Sequence, residues 1–148
     1  MAKKKPKDKK SQIKFLYNFI KDHKLAVMAT VTKNALPEAA LIGIAVAEDL
    51  SLICSTFASS RKYVNLKKNR AVALVIGWEK AKTVQYEGAA RELPQDEAEV
   101  VLKTFLAKTP AIAKSLRLEH RVLYLISPKW VRFSDLSTEP WERFEVKF

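Results

Sequence analysis

The spacing of apolar residues changes along this chain, and each change predicts a different element. Ile13, Phe15, Leu16, Phe19 and Ile20 fall close to a 3.6-residue repeat with lysines between them. That spacing predicts one amphipathic helix over 11–23, with Ser11 as its cap. Two strand-like runs follow, 25–32 and 38–46, around the polar break Lys33-Asn34-Ala35-Leu36-Pro37, and they predict a hairpin. A further strand runs from Leu50 to Thr56. Ser59-Ser60 then caps a helix over about 60–69. The run 71–78 is apolar on both faces and predicts a central strand. Residues 83–93 alternate in their first half, and Pro94 stops them and opens a helix. Asp96, Glu97 and Glu99 come early in that helix and Lys103 and Lys108 late, the order its dipole favours. Val100, Val101, Phe105 and Leu106 are its expected buried face. After Thr109-Pro110, one or two helical turns are expected over 111–118. Strands 121–126 and 130–133, separated by Ser127-Pro128-Lys129, and a C-terminal strand over 141–148 complete the pattern. Short turns between consecutive strands favour an antiparallel barrel over a parallel sheet.

Composition narrows this picture. The chain has 148 residues, 48% apolar and 29% charged, which suits one domain with a real core. Its longest apolar runs are of strand length, far short of the roughly 20 residues of a membrane-spanning helix. No apolar stretch follows the first lysines, so a secretory signal is not expected and the cytoplasm is the expected location. Cys54, the single cysteine, excludes an internal disulfide and a multi-cysteine zinc site, and its apolar surroundings predict a buried thiol. The net charge is +11, and six lysines and one aspartate fall within the first ten residues. Residues 1–10 are therefore expected to form a disordered basic tail and 11–148 a single domain. Such charge attracts nucleic acid or acidic surfaces weakly, in a salt-dependent way.

Chemical signatures are sparse. With only Gly43, Gly77 and Gly88, the chain has no Gly-x-Gly-x-x-Gly and no phosphate loop of the Walker type. His23 and His120 stand far apart, without metal-ligand spacing, and no Ser-His-Asp or Cys-His arrangement is legible. Any reaction would be carried by a bound cofactor. One segment breaks a local rule. Arg61 and Lys62 follow the Ser60 cap and so stand in the first turn of a helix, where the dipole favours negative side chains. Backbone N–H groups, hydroxyls, a guanidinium and an ammonium together suit a phosphate there.

The same segment carries a family resemblance. Ser55-Thr56-Phe57-Ala58-Ser59-Ser60-Arg61-Lys62-Tyr63-Val64-Asn65-Leu66 resembles the strand, gap and Ser-Arg-Lys helix of the pyridoxamine 5′-phosphate oxidase-like FMN-binding split barrels. Around it, 25–31, Asn34-Ala35-Leu36-Pro37, 38–46, 69–75 (with Arg70 for the usual proline), 83–90 and 127–133 resemble the family's successive strands. The resemblance implies a mainly β fold, a six- to seven-stranded antiparallel split barrel with helical insertions, paired into a homodimer with FMN at its interface. Carried over by position, Arg61 and Lys62 would hold the FMN phosphate, with Ser55, Thr56 and Ser60 nearby. Ala40, Leu41, Ile42 and Gly43 would lie along the flavin ring. Thr83 or Gln85 would face the flavin from a neighbouring strand or subunit, and Trp130 and Arg132 would contact it from the closing strand. The vitamin B6 oxidases carry an arginine and a substrate-binding lysine where this chain has Ala40 and Ala45. The resemblance therefore implies a flavin-dependent oxidoreductase acting on a small molecule other than pyridoxamine 5′-phosphate, with no assigned catalytic side chain. Relatives that bind F420 or haem, and a non-enzymatic flavin-binding or electron-carrier protein, are the alternatives.

Overall fold

The computed structural model describes residues 6–108 and 120–148. Helix α1 (Lys9–Lys21) starts two residues before the expected boundary. Asp8, not Ser11, is its cap: the Asp8 carboxylate accepts from the Ser11 backbone N–H at 3.0 Å and from the Ser11 hydroxyl at 2.7 Å. A carboxylate is the better cap here because it also offsets the lysines of the first turn.

The strands are β1 (Leu25–Val31), β2 (Pro37–Gly43), β3 (Ala45–Val46), β4 (Leu52–Phe57), β5 (Ala71–Ile76), β6 (Lys82–Glu92), β7 (Arg121–Asp135) and β8 (Glu142–Lys147). They form one antiparallel sheet in the order β2-β1-β5-β6-β7-β4-β3, with β8 added to β7. The eighth strand beyond the expected six or seven is the two-residue β3. Its opposite edge partner β2 precedes it in the same chain run, with only Ile44 between them. The two ends of the sheet therefore meet at one bend, and the sheet curls into a split barrel. The core fills its inside, with Met28, Ile42, Ile44, Leu52, Leu74, Ile76, Val84, Tyr86 and Ile126 all buried.

Two strands differ from expectation for physical reasons. β7 is continuous, and Ser127-Pro128-Lys129 is a bulge within it rather than a turn. Glu87 pairs with Trp130 and Gly88 with Pro128, so Lys129 is an extra residue. Gly88 makes room for this, because a Cβ there would stand 2.5 Å from the Ser127 carbonyl oxygen. β5 ends at Ile76, and it buries only Val72, Leu74 and Ile76. Ala73 and Val75 face outward, Val75 at 41% exposure, so the second apolar face of this central strand is uncovered in the single chain.

Helix α2 (Arg61–Lys68) joins β4 to β5 and packs on β1 and β4. Helix α3 (Gln95–Lys108) covers a second, smaller cluster with Ala98, Val101, Leu102 and Phe105, the i, i+3, i+4, i+7 set. Val100, expected inside, is exposed. The Leu106 side chain and the turns expected over 111–118 lie outside the described residues.

Candidate functional site

The rule-breaking turn is real. Ser60 caps α2, its Oγ accepting from the Tyr63 backbone N–H at 3.2 Å. No acidic residue stands in the first turn, and Lys67 and Lys68 stand in the last. Ser60 Oγ also lies 2.8 Å from Thr56 Oγ1, so strand β4 and helix α2 present a hydroxyl pair beside the two cations.

What resolves the conflict for Arg61 is a carboxylate 23 residues away. The Arg61 guanidinium pairs with Glu38 on β2, although the Arg61 side chain is 84% exposed and that of Glu38 only 19%. Glu38 is held from behind. Buried Asn65, one turn along α2, donates one Nδ2–H to Glu38 Oε2 at 2.8 Å and the other to Thr30 Oγ1 at 3.0 Å. Thr30 and Glu38 are direct cross-strand partners on the inward face of β1 and β2. These three residues were missed in the sequence. The available signal was the inward parity of Glu38, shared with Ala40 and Ile42.

Lys62 has no such partner. It is half-buried, and among the described residues no hydrogen bond or ion pair holds it. Its charge is felt inside the barrel. Burial pushes the Cys54 thiol up to about 12, and the Lys62 ammonium acts against that rise. Met28, Thr30, Glu38, Ala39, Ala40, Arg61 and Lys62 line a pocket of about 240 Å³ at this end of the barrel. Strand β2 forms one wall, and among the described residues it pairs only with β1, so the backbone groups of its other edge are unpaired.

The remaining candidates fall into separate places. Ile42 is a core residue, and Leu41, on the opposite face of β2, is exposed. Gly43 ends β2 at the bend into β3. Ser55 has the opposite parity to Thr56 and accepts from Arg121 Nη1 at 3.1 Å, away from the pocket. Gln85 and Trp130 meet on the outer face of the sheet, in a second groove of about 160 Å³ floored by Val27, Ala29, Ala73 and Val75. Arg132 stacks on Trp130 there, 4.7 Å from its ring centroid. Thr83 shares the outward parity of Gln85, and its hydroxyl is buried without a partner among the described residues. The inward pocket and this outward groove therefore lie on opposite faces of the sheet and are not joined in one chain.

Neither histidine serves the pocket. His23 donates through Nδ1 to the Phe19 carbonyl at 2.7 Å, and its Nε2 lies 3.6 Å from Glu79. His120 is exposed in the turn immediately before β7. Among the described residues no group of three acidic, histidine or cysteine side chains could hold a metal ion, and no helix is long and apolar enough to cross a membrane.

Solved structures share this architecture at low identity. General stress protein 26 from Bacillus anthracis str. Sterne is 20% identical with a TM-score of 0.68, covering 94% of this chain and 98% of that one. A heme binding protein from Mycobacterium smegmatis is 12% identical with a TM-score of 0.72, covering 97% of this chain and 60% of that one. A protein of unknown function from Agrobacterium tumefaciens is 15% identical with a TM-score of 0.69, covering 83% of this chain. This chain spans only 56% of the length of the Agrobacterium protein. No curated protein matches the sequence significantly. The family model described as pyridoxamine 5′-phosphate oxidase matches residues 14–135, which take in strands β1 to β7 and the residues lining both grooves, and this chain belongs to that family.

Proposed function

We propose that this chain binds FMN as a homodimer and acts as a flavin-dependent oxidoreductase on a small molecule other than pyridoxamine 5′-phosphate. The observation that carries the reading is Lys62, a half-buried ammonium without a partner among the described residues, which lines a pocket of this family's barrel on the helix that Ser60 caps, with Ser60 in turn bonded to Thr56. Lys62 and those hydroxyls would hold the phosphate, Arg61 would reach it from the rim, and the unpaired edge of β2 would offer backbone donors and acceptors to the ring. FMN, when bound, supplies hydride or single-electron transfer. The protein contributes position and exclusion of water. The outward half-site with Gln85 and Trp130 would come from the second copy, whose uncovered Ala73 and Val75 face is the natural contact. Ala40 lines the pocket and Ala45 is buried, so neither supplies the positive charge with which the vitamin B6 oxidases hold their substrate.

A titration with FMN, followed by quenching of its fluorescence, tests the site. Lys62→Ala, alone or with Arg61→Ala, is expected to weaken FMN binding at least about tenfold, in line with loss of a charge-assisted contact. Unchanged affinity in the double variant refutes the assignment. The heme binding protein among the structural relatives supports haem as a second reading. The positions of His23 and His120 argue against it, and the absorption spectrum of the purified protein, flavin bands or a Soret band, decides between them.

A further inference from the structure

The anion pocket already contains an anion. Glu38 is not a surface carboxylate that happens to lie near Arg61. It stands at an inward position of β2, is mostly buried, and is pinned by Asn65, which is itself fixed to Thr30. Arg61 is the solvent-facing member of the pair, its side chain 84% exposed. Glu38, Arg61 and Lys62 all line the same pocket, so their formal charges sum to a single positive charge, and that charge sits on Lys62. A phosphomonoester carries about −1.5 to −2 at neutral pH. Seating it would over-balance the pocket and bring its oxygens against a carboxylate held in place by Asn65. While its Nη2 stays on Glu38, Arg61 offers a phosphate only its remaining N–H groups and a charge already offset by the carboxylate, and turning it wholly to the phosphate would leave a partly buried charge with Asn65 alone.

We propose that Glu38 is the specificity-determining residue of this pocket. It acts as a built-in counter-ion that occupies Arg61, sets the pocket to accept an anionic group of single charge through Lys62, and penalises a dianionic phosphate. This rests on the reading that the pocket receives the anionic end of a cofactor. A ligand joined through a carboxylate or a phosphodiester fits the charge balance better than a terminal phosphate, so FMN binds below the affinity that two free cations would give. Replacing Glu38 by a neutral side chain of the same shape releases that restraint.

The test uses the full chain and inorganic phosphate at pH 8, where phosphate is dianionic, with acetate as the singly charged comparison. Binding is read from backbone amide shifts of Arg61, Lys62 and Tyr63 in wild type and in Glu38→Gln, which keeps an acceptor for Asn65. The expected result is phosphate binding about tenfold tighter in Glu38→Gln, with a smaller gain for acetate. Glu38→Ala is expected to move the same way and guards against a new contact made by the glutamine amide. Phosphate affinity that is equal or weaker in both variants overturns the proposal, because it would make Glu38 a support for Arg61 rather than its competitor. Absence of phosphate shifts at α2 in all three chains also overturns it. FMN and riboflavin titrations of the same chains separate the two readings. Phosphate behaving as expected while FMN binds no better than riboflavin would refute the flavin reading and leave the role of Glu38 standing.

Discussion

Asn65 is the residue through which the fold holds the site, and Asn65→Ala measures how strongly. The side chain is buried, and its two N–H groups go to two acceptors that are themselves largely out of water, Thr30 Oγ1 at 3.0 Å and Glu38 Oε2 at 2.8 Å. A hydrogen bond to a charged group contributes roughly 1.5–3 kcal/mol and a neutral one about 1 kcal/mol. Glu38 keeps 19% exposure and so can recruit water once the amide is gone, which trims the sum. The expected loss is ~2–3 kcal/mol, seen as a lower urea midpoint at unchanged slope and fixed protein concentration. In a chain of this size that equals a fall in melting temperature of about 5–10 °C. Asn65→Asp keeps the shape but sets a second carboxylate against Glu38, and it should be at least as destabilising near neutral pH. A loss below about 0.5 kcal/mol for Asn65→Ala would show that the Thr30–Asn65–Glu38 link carries no weight.

Two further outcomes follow from burial. The Cys54 thiol is raised by burial from 9.0 to about 12, so the folded chain keeps a proton that the unfolded chain loses. Its effect is absent below pH 9, and stability falls as pH rises from 9 towards 12. Wild type should lose ~2 kcal/mol more than Cys54→Ala between about pH 8 and about pH 10.5 in urea titrations, and equal losses refute the assignment. Burial also pushes the Tyr86 phenol up, but it does so in both chains and cancels in the comparison. If the Ala73 and Val75 face is the subunit contact, Val75→Glu should convert a sedimenting dimer to a folded monomer, since that side chain points away from the core. A wild-type monomer, or a variant that stays dimeric, counts against it.

The parts of this fold that were legible in the sequence are those whose cause is local. The Ser60 cap, the cations after it, and the alternation in the first half of β6 each need only neighbours a few residues away. Arg61 looked unsatisfied for the same reason. Its partner is Glu38, which sequence spacing alone cannot bring to it, because the contact exists only once β2 has paired with β1 and α2 has docked over both. β5 reads as buried on both faces because its outer residues are apolar, although the single chain covers only one face. At α1 a better cap lay outside the boundary that the apolar repeat suggested. β7 reads as two strands because Pro128 in a strand usually marks an end, and the device that tolerates it, a missing Cβ on the facing strand, belongs to Gly88, forty residues earlier.

That bulge has a consequence for how the strand tolerates change. β7 is two alternating patterns half a period out of step. Tyr124 and Ile126 are buried on even numbers, and Val131 and Phe133 on odd ones, with Lys129 absorbing the shift in phase. Removing Lys129 would set Pro128 beside Trp130, opposite Gly88 and Glu87, and merge the two patterns into one regular alternation in which every other residue keeps its face. Losing a residue elsewhere in β7 with the bulge kept would instead turn the residues on one side of the loss to the opposite face. Lys129 is the spare place in the closing strand, the one position where a deletion leaves every neighbour at its own address.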